Sequence, residues 1–134
     1  MNGLEEVGDW FRKLKSEGKI RRFGFSIEGD LIVGLNELAA KGLLVEAVVQ
    51  TPVSDTLLNL PDEWRHVSFI AHSPFKFLQD QTRDLTAVGN LGELLRKLAG
   101  ACQCETLVCS MFTHSHLVSN LAVWKESREP RPTK

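Results

Sequence analysis

Short strand-like segments alternate with amphipathic helical segments along most of this sequence, and this alternation constrains the fold more than any other feature. It predicts an opening helix over residues 2–17 and then four strand–helix units, one of them with a shortened connection. The clearest strand is an almost continuous, valine-rich apolar run from Leu43 to Thr51, closed by Pro52. Such a run is typical of a strand buried on both faces of a parallel sheet. We therefore expect four parallel strands joined by right-handed connections.

Three other segments complete the predicted sheet. The first strand, over 22–26, alternates two phenylalanines with arginine, glycine and serine. The third strand covers 67–72 before Ser73-Pro74, and the fourth covers 106–111. Gly18 suits the end of the first helix, and Asp30 suits the N-cap of the second.

The remaining segments set the domain limits. Residues 52–66 are interpreted as a crossover with one short helical turn, and residues 75–88 as a loop without periodicity. Asn90 is expected to cap a further helix. Residues 1–124 then form one domain, and residues 125–134, with two prolines and mixed charges, form a disordered tail.

Composition narrows the classes of function. The chain has 134 residues, 43% of them hydrophobic and 25% charged, as expected for one globular domain. A net charge of −1 gives no electrostatic reason to bind nucleic acid or an anionic membrane. No apolar run is long enough to span a bilayer, and the acidic start is unlike a signal peptide. Three cysteines, an odd number, fit a reducing cytoplasm.

Several stretches resemble the aldo-keto reductases. They correspond to the family's fifth to eighth strands and the helix after the eighth, and they are Gly18–Arg21 with Gly24–Ser26, Val48–Pro52, Ile70–Phe75 and Val108–Leu121. The match runs from about Leu4 to Trp124, and it corresponds to the second half of that family's eight-stranded barrel.

The resemblance implies a cofactor, NADP, and a set of residues that would bind it. Ser26 and Gln50 match residues that hold the nicotinamide carboxamide, His72 stands where an aromatic residue stacks on the nicotinamide, and Ser73 lies in the pyrophosphate loop. Near Phe112 the family has a basic or small polar residue that holds the adenosine phosphate. At Ser119, beside Asn120, it usually has a glutamate. The departures predict weak or absent NADP binding.

Alternation along the strands independently gathers polar residues at one end of the sheet. It places Ser26, Gln50 and His72 on one face near the carboxyl ends, with Ser110 joining them from the fourth strand. One interpretation is that these residues form a binding site. The other is that they are a remnant of an ancestral pocket, in which the polar groups now hydrogen-bond to one another or to water.

The catalytic residues of the family, including its proton donor, have no counterpart in this sequence. The family's catalytic Asp, Tyr, Lys and His lie on early strands without counterparts in this sequence, and the sequence contains no tyrosine. We therefore expect an oligomeric protein that is non-catalytic or weakly nucleotide-binding. The alternative is an NADP-dependent oxidoreductase in which His72 serves as the acid of a rebuilt site.

Five cysteines and histidines lie close together in the sequence, which is one indication of a zinc site. They are Cys102, Cys104, Cys109, His114 and His116. Their spacing does not fit paired zinc ligands. No metal site is expected. We expect two of the cysteines to be buried as small hydrophobic residues and the histidines to lie at the exposed start of a helix.

The predicted architecture is half of a (β/α)8 barrel with helices on its outer face. Its inner face, including Val48, Ile70 and Val108, would be bare, and both sheet edges would be unpaired. A second copy related by a two-fold axis would close eight strands, so a homodimer is expected, with Arg22 and Glu46 pairing in the shared interior. The alternative is a flavodoxin-like three-layer sandwich.

Overall fold

A computed structural model describes residues 3–81, 91–109 and 114–128. The strands are β1 (Gly24–Ser26), β2 (Val48–Pro52), β3 (Ser68–His72) and β4 (Gln103–Val108). The helices are α1 (Gly3–Ser16), α2 (Leu31–Ala40), α3 (Asp55–Leu58), α4 (Pro74–Gln81), α5 (Leu91–Ala101) and α6 (His114–Arg128), with a 3₁₀ turn at Asp62–Trp64.

The four strands form one parallel sheet in the order β1-β2-β3-β4. This confirms the predicted α/β class and parallel sheet. Because the strand order follows the chain, right-handed crossovers place the connecting helices on a single face. A flavodoxin-like sheet reverses its strand order and carries helices on both faces. The parallel sheet fits either half a barrel or a flavodoxin-like sandwich, and the sequential strand order favours the half-barrel.

The two faces of the sheet differ in burial. The side chains of Val49, Phe69 and Ala71 point toward the helices and have no exposed surface. They pack with Leu35, Leu57 and other leucines of the helices in one core cluster. The intervening residues of β2 and β3 are only half-buried, or exposed as at Gln50. We call this second side the open face.

The prediction that residues 43–51 form one continuous strand is wrong at its start. β2 begins only at Val48, and the residues before it form turns. Leu43 and Leu44 are buried because the turn packs into the core, which extends the apolar run without extending the strand.

Helix α1 covers the β1 side of the core. The ring of Phe11 stacks on Phe23 with centroids 5.3 Å apart and meets Phe25 edge-on. The predicted helix-ending Gly18 has a positive φ of 72°, and the side chain of Asp30 caps α2 by accepting from the Val33 N–H. Both local predictions are confirmed.

Other boundaries differ from those predicted. Helix α4 occupies the start of the segment predicted as a loop, and β4 lies three residues earlier than residues 106–111. Helix α6 continues to Arg128, past the predicted start of the tail. Asn90 and residues 129–134 lie outside the described residues.

Within the three described segments, no helix combines the length and apolar character needed to cross a membrane.

Candidate functional site

The carboxyl ends of β1, β2 and β3 bring together most of the polar residues singled out in the sequence. Ser26 lies opposite Gln50, and Pro52 lies opposite His72. Beside them on the open face is a cleft of about 290 Å³, lined by Ser26, Gln50 and Ile70 among others. The shared face predicted by strand alternation is therefore present.

The loop after β1 is fixed by hydrogen bonds to β2. The Ile27 N–H donates to the Gln50 carbonyl at 2.8 Å, and the buried Thr51 hydroxyl donates to the Ile27 carbonyl at 3.0 Å. Two residues further on, the cap at Asp30 begins α2. These contacts hold Glu28 above the carboxyl end of the sheet.

Glu28 joins Ser26 to His72. The Ser26 hydroxyl donates to Glu28 Oε1 at 3.0 Å, and the same oxygen lies 3.4 Å from His72 Nε2. His72 Nε2 is buried, and among the described residues none forms a hydrogen bond of good geometry with it. Glu28 was not among the predicted site residues, although its two-residue spacing from Ser26 was the available signal.

The other ring nitrogen of His72 faces a serine hydroxyl. His72 Nδ1 lies 2.9 Å from Ser73 Oγ, and the His72 carbonyl accepts from the Val53 N–H at 2.8 Å. Ser73 connects β3 to α4 with a φ of 59°, the only positive φ outside glycine in the described chain. A serine held in this region costs on the order of 1–3 kcal/mol. Glu28, His72 and Ser73 thus form a continuous carboxylate–imidazole–hydroxyl series, which we call the strand-end triad.

Not every predicted cofactor residue joins this group. Gln50 is exposed on the open face beside Ser26. Ser110 and Phe112 lie outside the described residues, while Ser119 is exposed on α6. The structure therefore groups Ser26, His72 and Ser73 closely, and it adds Glu28.

The opposite, amino end of the open face is bridged by an ion pair. Arg22 Nη1 and Nη2 donate to the two carboxylate oxygens of Glu105 at 2.9 and 3.2 Å. The hydrogen bonds from Arg22 lower the pKa of the Glu105 carboxyl. Because Arg22 precedes β1 and Glu105 lies on β4, this pair joins the two edge strands across the open face of the sheet.

The predicted pairing of Arg22 with Glu46 is wrong. Glu46 lies in the turns before β2 and accepts instead from Arg12 Nε on α1 at 3.2 Å. A register shift between Phe69 and Ile70 of β3 places an extra β4 residue, Glu105, between the paired positions. This bulge supplies the partner that Arg22 uses.

The cysteine and histidine cluster does not form a ligand set in the described residues. No group of three potential ligands lies together there. Cys102 is buried and donates to the Leu98 carbonyl, and burial raises its thiol pKa to about 12. Burial also raises the pKa of Cys109, whereas the side chain of His116 lies outside the described residues. Metal-binding thiolates are disfavoured by such burial.

A second cleft, of about 390 Å³, lies at the outer edge of the sheet. It is lined mainly by apolar side chains of α5, β4 and α6, including Leu91, Leu107 and Leu121. Nearer the start of α6, Leu117 and Val118 are also exposed, at 39% and 53% of their surface.

The strand-end residues fit a nicotinamide dinucleotide poorly. The Ser26 hydroxyl, which would contact the carboxamide, is already engaged by Glu28. The Glu28 carboxylate also adds negative charge where a dinucleotide would bring more. Imidazole, carboxylate and hydroxyl groups in one series instead suit proton transfer and nucleophilic chemistry.

Comparisons with known proteins do not assign this chain to a family. No family model matches it, and no curated protein or solved structure shows significant similarity to it.

Proposed function

We propose that this protein is an aldo-keto-reductase-like half-barrel that associates with a second copy of itself and does not carry out the family's reduction. The observation that carries the proposal is the open face of the sheet. Val108 there is 50% exposed, and Val48 and Ile70 are only half-buried. Burying apolar surface of this kind stabilises association by about 25 cal/mol per Å².

The sheet edges support the same proposal. In the described residues, β1 pairs only with β2, and β4 pairs only with β3. Exposed edge strands offer unpaired backbone groups to another chain. A two-fold axis along the barrel would set β4 of each copy beside β1 of the other and give eight strands.

The helices at the two edges carry matching apolar surface. Val7 and Trp10 of α1 are 42% and 60% exposed, and Leu121 of α6 is 49% exposed. The same two-fold axis would bring α1 of each copy toward α6 of the other, twice. Together with the open face, these surfaces are suited to the roughly 1,000 Å² that a specific interface needs.

The reduction itself lacks its proton donor, because this chain contains no tyrosine. Weak or absent NADP binding follows from Glu28 beside Ser26 and from the departures at Phe112 and Ser119. The alternative is an NADP-dependent oxidoreductase, favoured by the position of His72 at the strand ends. The odd number of cysteines, three, supports a cytoplasmic location, and the net charge of −1 gives no basis for a nucleic-acid partner.

Edge variants test the association. Leu121→Asp on α6 and Trp10→Asp on α1 should each shift the protein toward monomer in size-exclusion chromatography, because a charge would be buried in the interface. Val33→Asp is the matched control, since Val33 is 62% exposed on α2, which connects β1 to β2 and is neither of the two edge helices. If all three variants elute like the parent protein, the edges do not form the interface.

Titration with NADPH tests the cofactor statement. Calorimetry should show no binding tighter than about 10 µM, which corresponds to roughly −7 kcal/mol. NADPH oxidation with a panel of aldehydes should stay at background in the parent protein. Turnover that His72→Ala abolishes would establish the oxidoreductase alternative.

A further inference from the structure

We propose that the strand-end triad of Glu28, His72 and Ser73 is a nucleophilic site that hydrolyses small, neutral carboxylic esters. The inference rests on the distances within the triad, and it stands whether or not the chain forms a dimer. In a closed barrel the carboxyl ends of the strands lie at an open mouth, so this site stays accessible.

Ser73 has the placement of an exposed nucleophile. It occupies the sharp turn from β3 into α4 with a φ of 59°, and its side chain is exposed although Pro74 beside it is fully buried. A serine on a strained strand-to-helix turn projects its hydroxyl away from the sheet.

His72 is placed to accept the serine proton. Its Nδ1 lies 2.9 Å from Ser73 Oγ, within reach for general-base catalysis. The proton of the neutral imidazole then belongs on Nε2, which faces Glu28 Oε1 at 3.4 Å. Glu28 acts as a positioning residue, because its carboxylate favours this tautomer and stabilises the imidazolium.

The reaction balances with water alone. His72 Nδ1 takes the hydroxyl proton as Ser73 Oγ bonds to the ester carbonyl carbon. The bond from that carbon to the alcohol oxygen breaks, and the imidazolium returns its proton to the departing alcohol. Water then attacks the acyl-serine with His72 again as base, releasing the carboxylic acid and restoring the Ser73 hydroxyl.

The neighbouring residues indicate the substrate class. The first turn of α4 supplies the N–H groups of Phe75 and Lys76, which lack intrahelical acceptors and suit a developing oxyanion. Phe75 is 36% exposed and offers an apolar surface for a short acyl chain. The Glu28 carboxylate opposes anionic substrates, so neutral short-chain esters are favoured over phosphate esters.

Covalent labelling is the first test. Incubation with an alkyl fluorophosphonate, followed by peptide mass spectrometry, should place the adduct on Ser73 and not on other serines. His72→Gln should suppress this labelling. Ser73→Gly should abolish it, and glycine accepts a φ of 59° without strain, so loss of the fold is avoided.

Hydrolysis of p-nitrophenyl acetate is the second test. Ser73→Gly and His72→Gln should each lower kcat by at least about 100-fold. Glu28→Gln should lower kcat less, with KM unchanged, because it removes the charge that stabilises the imidazolium and leaves the nucleophile, the base and the substrate surface in place. His66→Gln is the matched control, since His66 is an exposed histidine outside the triad and should keep full activity.

The proposal would be overturned by turnover of the parent protein no faster than that of an equal concentration of imidazole. Full activity in Ser73→Gly, or a label that falls elsewhere in the chain, would overturn it too. Equal loss in His66→Gln and His72→Gln would likewise assign the hydrolysis to unspecific surface imidazole.

Discussion

The two faces of the sheet are built from neighbouring residues and end in different environments. Val49 and Phe69 have no exposed surface, whereas Val48 and Ile70, one position away on the same strands, are only half-buried. Because side chains alternate along a strand, each pair differs in the face it occupies rather than in residue type. The hydrophobic core is therefore complete on the helical side, whereas apolar side chains of the open face stay partly exposed in the single chain.

Charged and polar groups follow the same division. The core side of the sheet holds one buried polar side chain among the described residues, Thr51, which donates to Ile27. The open face has the Arg22–Glu105 pair at its amino end and the strand-end triad at its carboxyl end. Function is therefore expected on the open face and at its carboxyl end.

The largest expected difference in stability is between substitutions at two adjacent residues of β3, one on each face of the sheet. Phe69→Ala should lower the free energy of unfolding by about 3–5 kcal/mol, because it leaves a cavity in the core. Ile70→Ala should cost less than about 2 kcal/mol when measured on dilute, dissociated protein. Urea denaturation of both variants gives the comparison, and equal losses would show that the open face is packed within the single chain.

An intermediate effect is expected at the start of β1. Gly24→Ala would press a methyl group against the Val48 carbonyl oxygen, so we expect about 1–3 kcal/mol of destabilisation. Gly100→Ala is the control, since nothing lies near that position in α5 and helix propensity favours alanine by up to about 1 kcal/mol. Thermal unfolding that ranks the two variants in the opposite order would contradict the close β1–β2 contact.

The smallest expected change in stability is the one that lowering the pH produces through the Arg22–Glu105 pair. The folded pKa of Glu105 is lowered by Arg22, so its stabilisation is present above the unfolded pKa of about 4.3 and is lost as pH falls through the lower folded value. The parent protein should therefore lose more stability than Glu105→Gln between about pH 5 and pH 3. Both side chains are more than one-third exposed, so added salt should reduce the difference. Identical pH dependence of the urea midpoint in the two proteins would rule out this contribution.

Local signals predicted much of the fold. Gly18 and Asp30 end and begin helices because their backbone and capping properties act within a few residues. The alternation of strand-like and helical segments predicted the parallel sheet, because the pattern of each segment is also set by residues close together in the sequence. Helix α4 was missed because its eight residues carry too little periodicity to be separated from a loop.

The candidate site was predictable only in part. Strand alternation placed Ser26, Gln50 and His72 on one face, but the position of Glu28 depends on hydrogen bonds between the β1–α2 loop and β2. The partner of Arg22 depends on a β4 bulge that leaves no periodic signal. Long-range contacts of this kind are fixed by tertiary packing and not by local pattern.

Sedimentation equilibrium of the parent protein at micromolar concentrations tests most directly whether a second copy completes the open face. We expect a mass twice the 15.0 kDa of the single chain, falling toward the monomer on dilution. A well-folded protein that remains at 15.0 kDa at the highest concentration would contradict the account.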